Sequence, residues 1–116
     1  MGRMLEMLCW LSVIMLICPL EIANAQDAAA IKKGQEVYAA QKCSVCHAIA
    51  GKGGKSGSLD GVGAKLSAAD IREWIVHPTE MTKKTKSEKK PPMPAKYGAL
   101  PAPELDALVA YMQSLK

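Results

Sequence analysis

The sequence predicts an all-α fold of three to five helices in one small domain, and three observations point there. Apolar residues recur at i, i+3, i+4 and i+7 near the C-terminus, where Leu105, Leu108, Val109, Met112 and Leu115 fall on one helical face. β-Branched residues almost never alternate with polar ones, so half-buried strands are not signalled. The chain has 116 residues, room for one core rather than two. Hydrophobic residues make up 49% and charged residues 22% of it, which argues against extended disorder or collagen-like repetition.

Taken in order, the first segment is not part of the domain. Arg3, the apolar run 7–20 and Ala23-Asn24-Ala25 have the charge, apolar middle and small residues of a secretory signal peptide cut after Ala25. The run is short for a membrane span, although an uncleaved anchor is the competing reading. The expected division is therefore a signal peptide over 1–25 and a domain over 26–116 exported to the periplasm, with no stable membrane insertion. Cys9 and Cys18 leave with the signal, so the domain keeps Cys43 and Cys46 and remains net basic. Its large side chains are Trp74, Tyr38, Tyr97 and Tyr111 with no Phe, a set that needs a staple to hold a fold.

Asp27 is a candidate cap for a first helix running towards Cys43, with Ile31, Gly34 and Tyr38 on one face. Gly34 costs about 1 kcal/mol relative to Ala in a helix, which makes sense if another helix crosses closely over it. Ser67-Ala68-Ala69-Asp70 resembles a capping box, followed by a stripe of Ile71, Trp74 and Ile75 and stopped by Pro78. The last helix starts near Pro103 without a Ser or Thr cap. Between these lie a Gly- and Ser-rich loop over 51–63, and a segment over 79–90 where Lys83, Lys84, Lys86, Lys89 and Lys90 outnumber Glu80 and Glu88. The second segment reads either as a solvated loop or as a basic surface that steers an acidic partner.

The staple is written at Cys43-Ser44-Val45-Cys46-His47. Two thiols three apart, with His directly after the second, are the pattern by which haem is attached through two thioether bonds while the His ligates iron. On one helical turn, positions 43 and 46 face the same side and His47 is held beneath the metal. A thioredoxin-like dithiol would want alternating strands and helices. Zinc would need four ligands from Cys43, Cys46, His47 and His77, two of them neighbours in the chain. A plain disulfide leaves His47 unexplained. The cofactor expected is one haem c, and Leu59 and Val62 are the loop residues expected to turn inward against it.

For the second axial ligand Met93 leads. It sits in Pro91-Pro92-Met93-Pro94, where fixed φ angles stiffen an extended loop and lower the entropy lost on ligation. Met81 and His77 remain as alternatives, and Met112 reads as core.

Cys43-Ser44-Val45-Cys46-His47, Leu59-Asp60-Gly61-Val62-Gly63, Ile71-Arg72-Glu73-Trp74-Ile75, Pro92-Met93-Pro94 and Leu105-Asp106-Ala107-Leu108-Val109-Ala110-Tyr111 together resemble a class I c-type cytochrome. The attachment motif is shared by many haem proteins; its order with the other four is far more specific. The resemblance implies a small cytochrome c fold in which the first and last helices cross near Gly34 and Tyr111, with Tyr38 close by. It implies His47 and Met93 as axial ligands and Trp74 near a haem propionate. Many relatives carry Gly-Pro where this chain has Ser56-Gly57-Ser58 before Leu59, which predicts a more flexible loop behind the His ligand.

The function expected is periplasmic one-electron transfer, not catalysis, by docking transiently through a basic surface on redox protein partners. A fixed haem subunit of a larger oxidoreductase, such as a sulfur-compound oxidising or dehydrogenase system, and a haem sensor or enzyme with an open iron position are the alternatives. Gly-rich phosphate loops, nucleophile elbows and repeats are missing from the sequence, and its basic residues are not interleaved with aromatics, so nucleic-acid binding is not expected.

Overall fold

A computed structural model describes residues 19–116, the side chains from Asp27 onward. Arg3 and most of the apolar run 7–20 lie outside the described residues. Helix α1 spans Pro19–Ala40. Asp27 therefore lies inside this helix and does not cap it. The sequence around it, Ala23-Asn24-Ala25 before and Ala28-Ala29-Ala30 after, is rich in the strongest helix former, so nothing halts the backbone at position 27.

After a 3₁₀ turn at Cys43–Val45 come three very short strands. They are β1 (His47–Ile49), β2 (Lys52–Gly53) and β3 (Gly57–Ser58). The central β1 pairs antiparallel with β2, Ala48 opposite Gly53, and parallel with β3, His47 opposite Gly57 and Ala48 opposite Ser58. Ala50 and Gly51 join β1 to β2 with φ of 52° and 76°. Two positive φ values suit the right-handed twist of a two-residue hairpin. Strands of two or three residues show no alternation, which is why the sequence did not signal them beside the helices.

Helix α2 spans Val62–Lys65 and α3 Ala68–Val76. Ser67 caps α3 as expected, its Oγ accepting from the Asp70 amide at 3.1 Å and donating to the Asp70 carboxylate at 2.9 Å. Pro78 ends α3 and also opens a further helix, α4 (Pro78–Thr85), where its missing N–H falls among the amides a helix start leaves free. Half of the lysine-rich segment is thus helical rather than loop, closed by Lys86 in the left-handed region. Met93 follows in an extended stretch, then a 3₁₀ helix at Ala95–Ala99 and helix α5 over Ala102–Ser114.

α1 crosses α5 where the glycine predicts: a Cβ on Gly34 would collide with the Ala107 carbonyl and lie 2.5 Å from Tyr111 Cβ. Tyr38 meets Tyr111 edge to face, centroids 5.8 Å apart at 84°. Val37, Ile71, Ile75, Leu105, Leu108, Val109 and Met112 form the buried core. An Arg72–Asp106 ion pair joins α3 to α5 on the surface. Among the described residues no helix is long and apolar enough to cross a membrane.

Candidate cofactor site

A cavity of about 600 Å³ opens between the helices, within the range of roughly 300–1,000 Å³ common for cofactor and ligand sites. Its lining includes Cys43, Cys46 and His47, the loop residue Leu59 with Val62, Trp74 from α3, and Leu108 and Met112 from α5. Met93 and Tyr97 line it as well, and Lys42, Lys89 and Lys96 reach the lining while being exposed to solvent.

Local backbone chemistry sets each of these groups. Lys42 takes a left-handed φ of 55° and starts the 3₁₀ turn, which the Cys46 amide closes on the Cys43 carbonyl at 3.2 Å. In a 3₁₀ turn residues three apart eclipse one another, so both thiols come to one side. The outside of the turn is tied by Gly54 N–H to the Ser44 carbonyl (2.8 Å) and Ser56 N–H to the Cys46 carbonyl (3.1 Å). Burial pushes the Cys43 thiol above its ordinary value, against the opposing pull of its backbone hydrogen bond.

His47 Nδ1 lies 2.9 Å from the Gly57 carbonyl. That acceptor puts the ring proton on Nδ1 and leaves the lone pair of Nε2 for a metal. Tyr38 donates its hydroxyl to the His47 carbonyl at 3.2 Å, so α1 also bears on this residue. Burial, with Cys43 and Tyr111 nearby, pushes the Tyr38 phenol up to about 12.

Of the residues expected at the site, Cys43, Cys46, His47, Leu59, Trp74 and Met93 all line this one cavity. Met93 is half-buried and packs on the core. Met81 is buried outside the cavity lining, and His77 is exposed at the junction of α3 and α4. Met112 belongs to the core as expected and lines the cavity as well. Tyr97 was not singled out from the sequence, although it is the one aromatic residue between Trp74 and Tyr111 and follows Met93 by four positions. The Lys96 ammonium lies 5.2 Å from its ring centroid.

The donor set suits haem c: a largely apolar chamber, two thiols on one turn, an imidazole with its outer nitrogen already engaged, and a thioether in the same cavity. Among the described residues no group of three or more His, Cys, Asp or Glu side chains converges as a metal site would require. The model of the cytochrome c family matches residues 31–116. No curated protein and no solved structure matches the chain.

Proposed function

The chain belongs to the cytochrome c family, and from that premise we propose that it is a periplasmic electron carrier with one haem c, exported by the leader over 1–25 and docking weakly on acidic redox partners. The observation that carries this reading is the presence of Cys43, Cys46, His47 and Met93 in the walls of one apolar cavity.

Cys43 and Cys46 would be the two attachment thiols, each adding S–H across a porphyrin vinyl group, sulfur to one carbon and hydrogen to the other, to leave a thioether. Bound there, the group supplies one-electron exchange between Fe(II) and Fe(III). His47 offers Nε2 as the proximal ligand while the Gly57 carbonyl holds its Nδ1 proton and fixes the ring. Met93 would offer its thioether from the same cavity lining, a ligand type that raises the potential and would occupy a position otherwise open to oxygen or peroxide. Leu59, Val62, Leu108 and Met112 give the chamber apolar lining, and Trp74, in the same lining, would serve a propionate.

Exposed Lys42, Lys89 and Lys96 at the lining, together with Lys83, Lys84, Lys86 and Lys90, give the surface that an acidic partner would meet. Such attraction speeds encounter and fades with salt. Stopped-flow oxidation of the reduced protein by an acidic redox protein tests this: the second-order rate should fall steeply as ionic strength rises. A salt-independent rate, or carbon monoxide binding to the reduced protein at neutral pH, would contradict the carrier reading. Co-purification with a larger complex at high salt would favour a fixed subunit.

A further inference from the structure

The loop behind His47 holds no Pro between Cys46 and Leu59, and its orienting carbonyl belongs to Gly57, a residue with no side chain to hold it. Something else must fix that carbonyl. β3 has two residues and pairs with β1 in parallel, the less stable pairing per residue. A ladder this short is set by what closes its ends.

One end is closed by the imidazole itself, His47 to Gly57. The other is closed by Asp60. Its Oδ1 accepts from the Ala50 amide at 2.7 Å, and its Oδ2 accepts from the Ser58 hydroxyl at 3.1 Å. The same Ser58 oxygen accepts from the Asp60 amide at 3.2 Å. Between the two ends, Leu59 N–H donates to the Ala48 carbonyl at 2.9 Å. His47 and Gly57 are ten residues apart, as are Ala50 and Asp60, so the carboxylate continues the register of β1 on β3 beyond the last backbone pair. Ala50 adopts φ 52°, a conformation L-residues with a Cβ avoid. Hydrogen bonds to a charged carboxylate are the stronger kind, suited to holding such a residue in place.

We propose that Asp60 is the positioning residue of the proximal ligand: its carboxylate clamps Ala50 and Ser58, holds β3 in register, and so keeps the Gly57 carbonyl on the His47 Nδ1 proton. The inference rests on the haem reading above. A firm Nδ1–H···O bond makes the imidazole a better donor and favours the ferric state. Asp60→Ala loosens that bond, so the reduction potential rises, and exchange of the His47 Nδ1 proton in the diamagnetic reduced protein speeds up by about tenfold, the loss expected for one charged hydrogen bond. Asp60→Asn keeps an oxygen acceptor for the Ala50 amide and stays close to the parent in both readouts. Ser58→Ala, which removes both hydrogen bonds of the hydroxyl with Asp60 and keeps the carboxylate on the Ala50 amide, falls between.

The test is spectroelectrochemistry and proton NMR on the holoprotein and these three variants. Should Asp60→Ala fail to accumulate, Asp60→Asn and Ser58→Ala carry the comparison, and an unchanged potential and exchange rate in Ser58→Ala then counts against the clamp. A coloured parent protein whose Asp60→Ala variant keeps its potential and its His47 exchange rate, while Ala50 amide exchange accelerates, overturns the clamp alone. A parent protein without attached haem overturns the reading beneath it.

Discussion

His47 and Met93, both in the cavity lining, are held by different physics. His47 stands in a mesh of hydrogen bonds: its ring on Gly57, its carbonyl under Tyr38, its strand between β2 and β3. Met93 stands between Pro92 and Pro94, where ring closure rather than hydrogen bonding limits the backbone, and it packs on the core. A hydrogen-bonded ligand is directional and electronically tuned by its partner; a proline-framed one is confined but free to turn. On the proposed reading, the hydrogen bonds at His47 would set that residue's donor strength, and the prolines around Met93 would confine its thioether without tuning it.

The largest effect comes from removing what both sides grip. Cys43→Ser with Cys46→Ser should give a protein without attached haem and largely unfolded, read as loss of helical circular dichroism, because the core of a chain with no Phe closes around the cofactor. A folded double variant would break the comparison at its root. Next, Met93→Ala should abolish the weak near-infrared sulfur-to-iron band and lower the potential by on the order of 0.1 V or more, within the span of about 0.8 V that axial ligands command. Met81→Ala and His77→Ala should leave band and potential in place; the reverse pattern would move the distal ligand elsewhere.

A change outside both loops separates stability from ligation. Gly34→Ala forces a Cβ against the Ala107 carbonyl and should destabilise the fold by about 1–3 kcal/mol in thermal or denaturant unfolding. Its midpoint potential should stay put, since neither ligand loop is touched. The smallest effect belongs to Tyr38→Phe, which removes one hydrogen bond to the His47 carbonyl, worth about 1 kcal/mol.

Tyr38 also carries a pH signature. Its phenol is pushed from 10.0 to about 12, so the folded state holds the proton more tightly than the unfolded chain. The stability this contributes is fully present below pH 10 and is lost as pH rises towards 12. Once Cys43 is a thioether its charge no longer contributes, and burial with Tyr111 remains as the cause. Ultraviolet titration of the parent against Tyr38→Phe should show one late-ionising tyrosine disappear.

Much of the fold was legible because helices write their faces into a sequence. Gly34 announced the crossing with α5, Ser67 and Asp70 announced the start of α3, and the Leu105 to Leu115 stripe announced α5. The three strands were not legible: at two or three residues each they hold too few side chains to alternate. Asp27 has the chemistry of a cap, yet alanines on both sides let the helix run past it. Pro78 marks both an end and a beginning, and the sequence pattern signals only the first. At the site, the motif of Cys43, Cys46 and His47 was legible from spacing alone, whereas Tyr97 and Asp60 gain their places through contacts distant in sequence.

The most direct measurement is the absorption spectrum of the protein purified from cells with haem-attachment machinery, taken oxidised and reduced, and again after denaturation. Sharp bands of a six-coordinate haem in the reduced state, a sulfur-to-iron band in the oxidised state, and colour that stays with the denatured polypeptide are the predicted result. A folded, colourless protein, or colour that separates from the chain on denaturation, would contradict the account.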